Sequence, residues 1–190
     1  IGDSRSNTDT AQYLPDSDAI LHYRGRRAFV VSGSTDNGAF DQFTIGLFGD
    51  KEHEGSYKDA EDGELSRNVV EHGRVDSILG FSLSIEPRSS ERVHYWIACG
   101  MSTREALYIH RQVKEQGVFK RIHKTAEWWQ EWLRPVIDTA NRLPKEYQER
   151  FIESAMIVKS QLDKRGAVIA STDSSLLNYS KDGYAYCWPR

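Results

Sequence analysis

From Ile1 to about Gly100 the hydrophobic runs have a period of two, and beyond Gly100 the period lengthens to that of a helix. Val75, Ser77, Leu79, Phe81, Leu83 and Ile85 alternate with Asp76, Ile78, Gly80, Ser82 and Ser84. That alternation predicts one long strand with a single apolar face. Val93, Tyr95, Ile97 and Cys99 repeat it, and the turn-forming stretch Pro87 to Ser90 between the two runs predicts that they form a hairpin. Weaker strands are predicted at Ala19 to Arg24, Arg27 to Ser32 and Phe40 to Phe48. Strands in succession without intervening helices predict an antiparallel sandwich.

After Gly100 the signals are helical. Ser102 followed by Glu105 is a capping box, and Ala106, Leu107 and Val113 continue a helix that Gly117 ends. Trp128, Trp129, Trp132, Leu133, Val136 and Ile137 form one broad apolar face on a second helix, which Pro135 is expected to kink or split. An aromatic stripe at helical spacing is more often core than a carbohydrate platform, so these tryptophans are expected in the interior. A third helix is predicted from Pro144 to Arg165, with Tyr147, Phe151, Ile152, Ala155, Met156 and Leu162 inward and Gly166 as its stop.

Composition narrows the function classes. An apolar fraction of 38% in 190 residues suffices for a packed core. A net charge of −3 argues against a phosphate-binding surface, so nucleic acid is not an expected partner. No apolar run approaches the roughly eighteen residues of a membrane helix, and no membrane partner is expected. Cys99 and Cys187 lack metal or redox spacing and read as small buried residues of a reducing or indifferent compartment, with a cytoplasmic location favoured. The six histidines show no metal-binding spacing, and neither a nucleophile elbow nor a phosphate-binding loop is present. No metal or other cofactor is predicted. The sequence opens at Ile1 without a Met, which leads us to expect an upstream segment.

Two stretches carry candidate chemistry. Lys58 to Asn68 gathers Asp59, Glu61, Asp62 and Glu64 around Gly63. Its spacing is not that of an EF-hand, so a solvated turn is favoured over a calcium site, and a turn that docks on a neighbouring domain is an equal alternative. The second stretch is GAVIASTDSSLLNYSKDGYAYCWPR, Gly166 to Arg190, which ends in Tyr184, Tyr186, Trp188 and Arg190 at two-residue spacing. Rings cover the C–H faces of a pyranose, and a guanidinium fork donates to neighbouring hydroxyls. By spacing alone, a half-buried strand with a charged end is the commoner arrangement.

GAVIAS and YAYCWPR resemble the start of the catalytic domain of glycoside hydrolase family 15, which includes glucoamylases, glucodextranases and some trehalases. DTAQYLPDSDAILHYRGRRAF, DAEDG with GRVDS, and YWIACG resemble the second half of that family's N-terminal sandwich, in the family's order. The resemblance implies three parts: residues 1–101 as part of a β-sandwich (half of a supersandwich), 102–143 as a helical linker, and 144–190 as the start of an (α/α)6 barrel. It implies a fragment of an inverting exo-acting α-glucosidase acting on an α-glucan oligosaccharide or trehalose. Arg190 would donate to hydroxyls of the terminal glucosyl unit, Tyr184 and Trp188 would wall that subsite, and Tyr186 would pack behind them. In the family an Asp follows Trp-x-Arg, and the two catalytic carboxylates come later. The fragment is therefore expected to be inactive by itself, with no catalytic residue assigned within it, and to dimerise through exposed sandwich edges. The alternatives are a glycoside phosphorylase of similar architecture and a non-catalytic carbohydrate-binding or structural sandwich module.

Overall fold

The alternating half of the chain folds as strands, and among the described residues every pairing of these strands is antiparallel. The computed structural model describes residues 9–50, 53–162, 166–169 and 187–188. In chain order the strands of its first half are β1 (Asp9–Leu14), β2 (Ala19–Arg24), β3 (Arg27–Thr35), β4 (Gly38–Ala39) and β5 (Gln42–Asp50). They continue with β6 (His53–Glu54), β7 (Val70–Gly73), β8 (Val75–Gly80) and β9 (Val93–Gly100). Helices α1 (Thr103–Gln116), α2 (Val118–Ala140) and α3 (Lys145–Ser160) follow, and then β10 (Val168–Ile169) and β11 (Cys187–Trp188). The chain divides into the unit Gly2–Arg121 and the unit Ile122–Arg190.

In the first unit β9, β3, β2, β1 and β7 lie side by side, with β4 added at the end of β3. A second sheet has the order β6, β5, β8. Period-two alternation sends successive residues of β2 to opposite faces. Ala19 and Leu21 join Ala28, Val30 and Ala98 under Ala106 of α1, whereas Ile20 joins Ala11, Phe43 and Ile45 between the sheets. The order is thus helix, sheet, sheet. Tyr13 stacks on Phe43 with ring centroids 3.9 Å apart, and Phe40 closes the inter-sheet core edge-on to both.

The two long alternating runs do not form the expected hairpin. β8 pairs with β5, Gln42 opposite Gly80 through Leu47 opposite Val75, while β9 pairs along the whole of β3. Local turn chemistry is present, with Ser89 N–H donating to the Glu86 carbonyl and Arg88 at φ 61°. Each run nonetheless takes a different sheet as its partner. The first run also stops at Gly80 rather than Ile85. The Asp41 carboxylate accepts the Ser82 N–H at 3.0 Å, which diverts the next ladder donor.

Helix α1 follows its sequence signals. Ser102 Oγ accepts the Glu105 N–H at 3.2 Å and Glu105 Oε2 accepts the Met101 N–H at 2.7 Å, so both sides of the cap are satisfied. Gly117, at φ 80°, ends it. Ala106, His110 and Val113 are its buried residues and share one face.

In the second unit Pro135 lies inside an unbroken α2, so the expected split does not occur. The three tryptophans are not core: Trp128 is 50% exposed and Trp129 and Trp132 are half-buried. They meet edge to face, at centroid separations of 5.0 and 5.7 Å, and the Lys159 ammonium caps the rings of Trp128 and Trp132. α3 ends at Ser160, before the expected Arg165, and Tyr147, Phe151 and Met156 are exposed rather than inward. Their apolar rows stay open because no third layer covers them among the described residues. Cys99, expected to be buried, is exposed and free, because alternation along β9 places it opposite Phe29 on a face that the second sheet does not reach.

Candidate functional sites

At the C-terminal motif, β10 and β11 pair antiparallel, with Val168 opposite Trp188 and Ile169 opposite Cys187. The two parts of the motif, VI and CW, are therefore neighbours in space, and Leu162 bridges to Val168 just beyond α3. Of the predicted subsite residues, Trp188 is placed by its backbone in β11. Tyr184 and Arg190, with Tyr186, lie outside the described residues.

The acidic turn organises itself. Asp59 Oδ2 accepts the Ser66 N–H at 2.8 Å, which holds its carboxyl below the usual range, and Asp62 Oδ1 accepts the Glu64 N–H at 2.9 Å. Lys58 pairs with Glu61 across 3.3 Å. Carboxylates spent on backbone donors in this way are loop closures. No group of three His, Cys, Asp or Glu suited to a metal occurs among the described residues. Asp76 acts similarly from β8, accepting the Ser56 N–H on both oxygens at 3.0 and 3.1 Å.

A third place was not singled out by sequence. Against the β3–β9 edge of the large sheet, beside the end of α1 and the first residues of α2, lies a cleft of about 570 Å³. Strand alternation brings Ser32, Ser34, His94 and Trp96 to it, and the helices add Lys114, Phe119 and Lys120. Trp96 Nε1–H donates to His110 Nδ1 at 3.1 Å. His110 must therefore carry its proton on Nε2, which donates to the Ser17 carbonyl at 2.9 Å. Burial pushes the His110 pKa down and the nearby Lys114 ammonium adds to that, against the opposing pull of the Ser17 bond and Asp18. The ring is thus held neutral behind Trp96, which lines the cleft. Lys114 pairs with Asp18 at 2.9 Å on the rim. His94 stands edge-on to Phe119 at 4.9 Å, and Arg92 covers the Phe119 ring at 4.7 Å.

The signal for this place was faint. His94 and Trp96 sit on the polar-looking alternate positions of β9, and His110 interrupts an otherwise apolar helix face. Scattered histidines of this kind have no spacing rule, and only the pairing of β9 with β3 under α1 gathers them.

Compared with known proteins, the chain matches no family model, no curated protein and no solved structure. No helix among the described residues is long and apolar enough to cross a membrane.

Proposed function

We propose that this chain is part of an inverting exo-acting α-glucosidase that takes an α-glucan oligosaccharide or trehalose, with residues 1–101 as part of its sandwich, 102–143 as linker and 144–190 opening an (α/α)6 barrel. The observation that carries the reading is the pairing of Val168 with Trp188 and of Ile169 with Cys187. It makes one local structure of the two sequence segments that resemble the sugar-binding loop of glycoside hydrolase family 15. The order of antiparallel sheets, helices and then this strand pair supports it further. The subsite would consist of Arg190 donating to glucosyl hydroxyls, with Tyr184 and Trp188 as its walls.

Inversion requires a protonated carboxyl to donate to the glycosidic oxygen and a carboxylate to activate water on the opposite face, at a separation of roughly 6.5–9.5 Å. In this reading neither role is assigned to the acids whose partners are described. Asp41, Asp59, Asp62 and Asp76 are spent on backbone N–H groups, and Asp9, Asp18, Glu61 and Glu131 sit in surface ion pairs. In this reading the 190-residue chain binds the terminal sugar without cleaving it. Turnover of maltose, trehalose and p-nitrophenyl α-glucoside tests this. The reading expects none from the pure 190-residue chain and turnover from a polypeptide that continues past Arg190 through an Asp. Turnover by the 190-residue chain, lost on Arg190→Ala, would overturn it.

A further inference from the structure

The cleft on the sheet carries an inference separate from the C-terminal motif. We propose that it is a non-catalytic binding site for a neutral sugar of one or two rings. Its volume of about 570 Å³ lies inside the range of about 300–1,000 Å³ typical of small-molecule clefts.

The lining settles the ligand class. Its formal charges cancel, Asp18 and Asp36 against Lys114 and Lys120. Asp18 and Lys114 neutralise one another at 2.9 Å, whereas Asp36 and Lys120 make no ion pair among the described residues. An anion would meet the Asp36 carboxylate and a cation would meet the Lys120 ammonium, each at a cost. A hydroxyl accepts from one and donates to the other, and the hydroxyl of Ser34, which also lines the cleft, can do both.

Two rings, Trp96 and Phe119, supply the apolar surface that a pyranose C–H face covers. His94 lines the cleft as well, and its buried Nε2 has no hydrogen-bond partner, an uncommon state for a ring nitrogen. None of these groups belongs to a nucleophile–base pair.

The test is titration calorimetry of the 190-residue chain with glucose and with maltose, and with inorganic phosphate as the charged probe. Sugar binding without phosphate binding is expected. Asp36→Ala and Lys120→Ala are each expected to weaken it about tenfold, the loss of one or two hydrogen bonds. Asp36 and Lys120 are surface positions, so unchanged thermal unfolding in those two variants keeps the result interpretable. Failure of sugar to bind, preferential binding of phosphate, or affinity unchanged by Asp36→Ala and Lys120→Ala would overturn the proposal. Sugar binding that survives these substitutions and disappears on Trp188→Ala would overturn it while favouring the C-terminal subsite.

Discussion

Trp96 donates its indole N–H to Nδ1 of His110 across 3.1 Å, joining the outermost strand of the large sheet to the helix above it. His110 is only 1% exposed, and its other nitrogen donates to the Ser17 carbonyl at the β1–β2 turn. One neutral imidazole thus ties three separate segments. His110→Phe fills the space but orphans the Trp96 N–H and leaves the Ser17 carbonyl only the 3.5 Å bond from Lys114, and is expected to cost about 1–3 kcal/mol in urea unfolding. Unchanged stability would show that the bonds are incidental.

The same residue sets a pH dependence. Burial holds the folded-state pKa values of His110 and His22 below that of a free imidazole. The unfolded chain then binds more protons at mildly acidic pH, so this contribution to stability is complete above about pH 6.5 and is lost as pH falls towards the folded values. Melting temperature followed from pH 7.5 to 5 is expected to fall, and to fall less in His110→Phe. A curve of identical slope in the two proteins would contradict the assignment.

Gly100 closes β9 where the backbone of α1 comes nearest. A Cβ there would stand 2.6 Å from the Ala106 amide nitrogen, and backbone cannot step aside as a flexible side chain does. Gly100→Ala is expected to destabilise the first unit by about 1–3 kcal/mol. Gly25, at φ 56° with open space around a Cβ, is the control in which only the turn conformation is strained. Equal effects at the two positions would refute close packing as the cause.

Val93, Tyr95, Ile97 and Cys99 share the face of β9 that the second sheet leaves open, with Tyr95 56% and Ile97 51% exposed. A row of this kind on an edge strand favours association between copies. Ile97→Lys is expected to lower the scattering mass of a concentrated solution at unchanged melting temperature. A wild-type chain that stays monomeric at every concentration would contradict this.

The sequence made the local rules legible and left the long-range ones hidden. The capping box at Ser102 and Glu105, the stop at Gly117 and the strand Ala19–Arg24 follow from neighbours in the chain and stand as read, while the strand expected over Arg27 to Ser32 runs on to Thr35. β1 and β7 were not read from periodicity, because Thr10, Gln12, Glu71 and His72 break the apolar alternation with polar pairs such as Thr10 and His72 at 2.5 Å. The expected β8–β9 hairpin failed for a related reason. Pro87 to Ser90 specify a turn but not which sheet each flanking strand joins. The tryptophans of α2 show the limit of a helical stripe, which marks an apolar face without naming what covers it. At the candidate sites, Trp188 was legible as a strand residue, whereas the gathering of Ser34, His94, Trp96 and Phe119 came only from pairing.

The central claim concerns Arg190 and the reaction it would serve. The most direct measurement is proton NMR of the first sugar released from p-nitrophenyl α-glucoside by a polypeptide carrying residues 1–190 and continuing past Arg190, compared with its Arg190→Ala variant. Inversion predicts β-glucose as the initial product. Loss of a charge-assisted bond of about 1.5–3 kcal/mol predicts that the variant's kcat/KM falls by about ten- to a hundredfold at unchanged melting temperature. Initial release of α-glucose, or kcat/KM unaffected by Arg190→Ala, would contradict the account.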